Sequence, residues 1–173
     1  MGLIKIVIDQ HLALPLGDFL SPNVLLFVTG RFRHYLIDLG FAKESVEAVL
    51  CRPLSSLSKT FVLLQELEAF RMLTEFGAFL EMYNRVYKIV EGIAIDKEVE
   101  PALFVDEAEG ILLASLRNLS TFDDLMKLQQ PVRRFFDQVK VMTEDASVRT
   151  NRLALLTEVK KVLDRSVDFS KLR

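Results

Sequence analysis

The spacing of the apolar residues restricts this chain most, because it repeats at helical intervals almost from end to end. Phe76, Phe79, Leu80, Tyr83, Val86 and Val90 follow an i, i+3, i+4, i+7 pattern, which lines one face of a helix, and Gly92 stands where it stops. Val28, Phe32, Tyr35, Leu36 and Leu39 predict an earlier helix closed by Gly40. Val46, Val49 and Leu50 predict a short one that ends before Pro53, and Leu57, Phe61, Leu64 and Leu67 begin a longer one. Pro101 suits the first position of a short turn, and Ala108, Leu112, Leu116 and Leu119 predict the next helix. Thr121 with Asp124 reads as an acidic variant of the capping box that opens another. Pro131 breaks that helix or starts a new one carrying Val132, Phe135, Phe136 and Val139. The last begins near Asp145 and runs through Val148, Leu155, Val159 and Val162 to about Arg165.

No stretch alternates apolar and polar residues between turn signals, so a large sheet is excluded. The run LIKIVI near the start has strand propensity but no evident partner. The expected fold class is all-α: one bundle of about seven or eight helices, forming a single domain over residues 1–173. At 173 residues and 50% hydrophobic, the chain can bury a core without staples. Its one cysteine excludes a disulfide framework and points to a reducing compartment, hence a cytoplasmic protein. Two histidines and that cysteine leave almost nothing for a metal site. The opening MGLIKIVI carries Lys5 and runs at once into Asp9 and His11, unlike a signal peptide. The apolar run at 24–28 is far short of the roughly 20 residues a membrane span needs. An element that begins at residue 2 without a cap is expected of a piece cut from a longer chain.

Catalytic motifs are absent. None of the 7 glycines builds a phosphate loop. Cys51 has no histidine or helix start beside it and reads as a buried structural thiol. His11 and His34 are isolated, and a general base needs an orienting partner. The pairs Asp123–Asp124 and Glu144–Asp145 fall at predicted helix starts, where carboxylates cap and complement the helix dipole. Tyr83 belongs to the apolar stripe and Tyr87 to its boundary, although a ring beside Arg85 and Lys88 is also suited to stack on an unpaired base.

Charge is uneven along the chain. The total is −2, but residues 87–126 hold 3 basic and 9 acidic side chains, whereas residues 127–173 hold 11 basic and 6 acidic. Such a basic tail fits a polyanion partner, as it fits solvated helix faces. Arg149 and Arg152 lie three apart on one helical face, with Asp145 four residues before Arg149 in the favourable order for an ion pair. Arg133 and Arg134 open the preceding helix, and Arg31, Arg33 and His34 cluster near the first strong one.

Residues 135–170 are more specific. Phe135-Phe136-Asp137, then Val139, Val141 and Met142, an acidic turn at Asp145, Arg149 with Asn151-Arg152-Leu153, and a closing Asp168-Phe169-Ser170 resemble the C-terminal end of the bacterial glycyl-tRNA synthetase beta subunit. GRFRHYLIDLGF at 30–41, SVEAVL at 45–50 and the opening GLIKIVIDQHLALPL resemble upstream parts of the same family. On that resemblance LIKIVI is helical. The likeness is weakest over about 97–128. The family usually shows Ala-Asn-Lys-Arg-Val; Arg85 and Val86 match, but Tyr83 and Asn84 replace the Asn-Lys pair.

The resemblance implies a DALR-like helical anticodon-binding domain, part of an enzyme that joins glycine to its tRNA. ATP and Mg²⁺ would serve the whole enzyme at a site in the alpha subunit, and this chain would hold no cofactor, metal or catalytic residue. The partners implied are glycine tRNA, the rest of the beta subunit and the alpha subunit in an alpha2beta2 assembly, with no membrane. Residue type then selects Arg31, Arg33, Arg85, Lys88, Arg133, Arg134, Arg149 and Arg152 as RNA-contacting candidates. Asp137 and Asn151 are read as intramolecular hydrogen-bonding residues, and Phe135, Phe136, Met142, Leu155 and Leu156 as core. The competing readings are an anticodon domain of an arginyl- or cysteinyl-type synthetase and a helical protein-interaction module without RNA binding. A small stand-alone enzyme is the third, and it lacks any nucleophile–base or metal set.

Overall fold

The computed structural model describes residues 4, 6, 7 and 20–172. Among these residues every regular element is helical: α1 Pro22–Asp38, α2 Lys43–Val49, α3 Leu57–Arg71, α4 Phe76–Val90, α5 Glu107–Ser115, α6 Phe122–Met126, α7 Gln129–Gln138 and α8 Ala146–Leu163. Short 3₁₀ turns lie at Pro101–Leu103 and Phe169–Leu172. Ile4, Ile6 and Val7 are helical despite their β-branched side chains. His11 lies outside the described residues.

Internal packing divides the expected 1–173 domain into two compact units, residues 1–73 with 166–173, and residues 74–165. In the first unit, α2 packs against α1, α3 and the final 3₁₀ turn. The Asp168 backbone N–H donates to the Ala48 carbonyl at 3.0 Å. Phe169 meets Phe70 edge to face at 6.3 Å. The C-terminal turn is thereby fastened to α2 and α3, and Phe32, Leu36, Leu64, Leu67 and Phe169 form a dry centre. Pro22 begins α1, where a missing N–H is harmless, and Gly40 ends its turn at φ +94°, a conformation that favours glycine.

In the second unit α4 packs on α8 and α7, and α5 packs on α7 and α8. The α4 stripe delivers Phe79, Tyr83 and Val86 to the interior, and Leu112, Leu128, Phe135, Leu155 and Val159 are fully buried in the same unit. The Tyr83 hydroxyl donates to Asp164 at 2.9 Å, which settles the polar end of a fully buried ring. The Thr121–Asp124 capping box opens α6 as expected, and Asp145 caps α8 by accepting from Ser147 and Val148 N–H. Lys127 hydrogen-bonds Asp124, and with Ser120 and Thr121 it holds that carboxyl below the usual carboxylate range.

Two local expectations change. The helix through Ala108 and Leu112 ends at Ser115: Asn118 takes the left-handed conformation at φ 59°, so Leu119 is buried from outside the helix. Cys51 is exposed, its thiol donating to the Ala48 carbonyl at 3.1 Å. Pro131 stands, as expected, at the start of a new helix: it lies in the first turn of α7, where no N–H is required of it, and α7 carries Val132, Phe135 and Phe136.

The start of α5 shows how much a few atoms hold. Asp106 accepts from Ala108 N–H at 2.8 Å, and Glu109 reaches back to the N–H groups of Asp106 and Val105, both at 2.8 Å. Asp106→Ala is expected to lower stability by about 1 kcal/mol, read as a shifted urea midpoint with unchanged slope.

Candidate nucleic-acid interface

The eight cations selected from sequence meet very different fates. Arg31 and Arg33 belong to the first unit; Arg31 is exposed over the Phe27 ring at 5.4 Å, and Arg33 pairs with Glu47 at 2.9 Å. The other six lie in the second unit. Arg152 is not available to a ligand. It is 7% exposed, its Nε donates to Glu109 at 3.0 Å and its Nη1 to the Lys140 carbonyl at 3.0 Å. Arg149 is half-buried and donates to the Thr143 carbonyl at 2.8 Å, so both arginines bond the connection between α7 and α8. The pair expected between Asp145 and Arg149 gives way to the Asp145 cap. Arg134 bonds Glu107 at 3.0 Å and Gln138 at 3.0 Å.

Four further cations of the basic tail are engaged in the same way. Lys127 pairs with Asp124 and Lys161 with Glu158, both at 2.7 Å, and each hydrogen bond raises its lysine's pKa. Lys160 pairs with Asp164 at 2.5 Å, and Arg165 donates to the Leu119 carbonyl at 3.1 Å. The +5 of residues 127–173 is therefore no continuous basic strip. Of the candidates in the second unit, Arg85, Lys88 and Arg133 are exposed without a close carboxylate among the described residues, and Arg134 is exposed but paired with Glu107. The nearest carboxylate to Arg133 is Asp137, at a loose 3.8 Å.

Arg85 and Arg133 meet at a groove of about 360 Å³ between α4 and α7. Ala78, Glu81, Met82 and Arg85 come from α4, and Gln129, Gln130, Val132, Arg133, Phe136 and Asp137 from α7. On each helix the acid and the base stand one turn apart, Glu81 with Arg85 and Arg133 with Asp137, so both walls carry one charge of each sign. The Arg85 guanidinium lies over the Phe136 ring, 4.0 Å from its centre. Such a stack fixes a planar cation while leaving its rim of N–H donors for other use.

Phe136 and its neighbour part company. Phe135 is fully buried and meets Phe136 nearly edge-on, 5.6 Å between centres, while Phe136 is half-buried and lines the groove. Phe136 is thus not core, and neither is Met142, which is 54% exposed. Leu155 and Leu156 are core. Among the described residues Asp137, largely exposed, makes only the loose Arg133 contact. Asn151 does what was expected of it, accepting from Glu100 N–H at 2.8 Å and donating to Glu100 carbonyl at 3.0 Å. Glu81 and the groove face of Phe136 were missed from sequence, and the signal available was the i, i+4 charge pair on each helix.

Among the described residues no group of three or more His, Cys, Asp or Glu is placed to hold a metal ion, and no helix is long and apolar enough to cross a membrane.

Residues 119–169, which contain α6, α7 and α8, match the DALR anticodon binding domain. Over 99% of its length the chain is 31% identical to the glycine–tRNA ligase beta subunit of Citrifermentans bemidjiense, covering 29% of that protein. The beta subunit of Desulfatibacillum aliphaticivorans gives 31% over 99% of the chain and 26% of its own length. That of Geotalea daltonii gives 34% over 87% and 24%. The chain spans under a third of the length of these curated relatives. The DALR match thus lies inside a likeness to glycine–tRNA ligase beta subunits that covers 99% of the chain, and residues 119–169 are a DALR-type anticodon-binding segment.

Proposed function

We propose that this chain binds the anticodon region of a glycine tRNA and presents that tRNA to an aminoacylation site held elsewhere. The observation that carries the reading is the DALR match at 119–169 within a chain similar over 99% of its length to a beta subunit. The ATP and Mg²⁺ that such a ligase uses belong, in this reading, to the alpha subunit of a cytoplasmic alpha2beta2 enzyme. The chain's share is binding and orientation.

The groove supports it. An anticodon loop offers unstacked bases on a curved phosphate backbone, and proteins hold such bases on aromatic rings and guanidinium planes. The exposed cations beside it are few, so the phosphate contribution is modest.

Titrating the chain with a glycine tRNA and with an anticodon-altered copy, at two salt concentrations, tests the reading. The glycine tRNA is expected to bind more tightly. With Lys88 the exposed cation beside the groove that is left for a phosphate, log K is expected to fall only shallowly against log salt, with a slope of about −1. Equal affinity for the two tRNAs would remove anticodon reading. Absence of binding by the chain and by its full-length beta subunit alike would favour a protein-interaction module, for which exposed Leu26 and Phe27 on α1 are the available surface.

A further inference from the structure

Resting on the anticodon-binding reading, we infer that the α4–α7 groove is a subsite for one unstacked nucleobase bearing an exocyclic amino group, held between the Arg85–Phe136 stack and the carboxylates of Glu81 and Asp137. Three properties of the groove lead there. Its size, about 360 Å³, is at the small end of ligand sites, which run from about 300 to 1,000 Å³. Its charge is balanced, one carboxylate and one guanidinium on each wall, so it offers a phosphate no net attraction. A base is neutral and carries donors and acceptors side by side on one edge, the pattern these walls complement. Third, the Arg85 guanidinium lies 4.0 Å over the Phe136 ring in the groove lining, and guanidinium planes and aromatic rings are the surfaces on which proteins stack unpaired bases.

The pairing follows from the chemistry of the edge. Cytosine offers an N4 amino donor beside the N3 and O2 acceptors. A carboxylate accepts from the amino group, as acidic side chains do from cytosine elsewhere, and a guanidinium N–H donates to the ring acceptor. Uridine presents a carbonyl oxygen where cytosine has the amino group, so the carboxylate meets an acceptor and repels it. Glycine codons require two cytosines in the anticodon, which places suitable bases in the loop the chain would hold.

The test uses the whole chain and an RNA hairpin carrying the glycine anticodon loop, with each anticodon cytosine replaced in turn by uridine. The unaltered chain is expected to prefer cytosine over uridine at one position by roughly tenfold or more. Glu81→Gln and Asp137→Asn, both exposed and nearly isosteric, are expected to keep the fold by circular dichroism. At least one of them is expected to bring the preference to about one or below, because an amide can donate to the uridine carbonyl. Arg85→Ala is expected to weaken all hairpins by roughly fivefold or more through the lost stack. An undiminished preference in the double Glu81→Gln, Asp137→Asn variant overturns the subsite while leaving anticodon binding in place. A chain that binds no hairpin, or binds all alike, overturns both.

Discussion

Arg152→Met is expected to destabilise the second unit by about 3–5 kcal/mol, measured as the drop in unfolding free energy from urea titration. The size comes from what is left behind. Glu109 is fully buried, and its carboxylate already serves two backbone N–H groups at the start of α5. Removing the guanidinium strands that charge away from water and also frees the Lys140 carbonyl, so the connection between α7 and α8 loses one of its anchors. Pairing the substitution with Glu109→Gln is expected to restore a large part of the loss, because the amide oxygen still caps α5 and no uncompensated charge remains. A loss below about 1 kcal/mol in the single variant would show that the pair does not fasten α5 to α8.

The same pair predicts a pH dependence. Burial pushes the Glu109 carboxyl up, but Arg152 and the N–H groups of Asp106 and Val105 outweigh it and hold the pKa below the ordinary 4.5. A carboxyl depressed in the folded state binds fewer protons there than in the unfolded chain. Its contribution is therefore complete above 4.5 and is lost as the pH falls through the folded value. In Arg152→Met only the two N–H groups oppose burial, so acid sensitivity from this site shrinks.

Where each helix starts and stops was legible because those signals are local. Gly40 and Gly92 supply positive φ within a residue or two of the end they mark, and Thr121 with Asp124, like Asp145, serves the first turn after it. The use of each cation was not legible. Arg149 and Arg152, three apart, look like one face, yet the side that faces inward depends on Glu109, 43 positions earlier in the chain. Likewise the excess of basic residues in the tail says nothing about Glu107, Leu119 or Thr143, whose oxygens take up three of its arginines. Sequence spacing fixes neighbours along a helix, and partners across a core follow only from packing.

The adjacent phenylalanines separate stability from binding. One step along a helix turns a side chain by about 100°, so Phe135 enters the core and Phe136 the groove. Phe135→Ala removes a fully buried ring and is expected to cost about 3–5 kcal/mol in urea unfolding, since the surrounding helices refill the cavity only in part. Phe136→Ala removes a half-buried ring that already faces solvent, with an expected loss of about 1 kcal/mol. Its larger effect is on RNA: without the ring beneath it the Arg85 guanidinium is free to swing, and affinity for the glycine anticodon hairpin is expected to fall at least about fivefold. Phe136→Leu keeps the apolar volume but not the flat face, so it is expected to recover stability and not affinity. If Leu restored binding as well, the ring would be a spacer beneath Arg85, and stacking would have no part in holding the base.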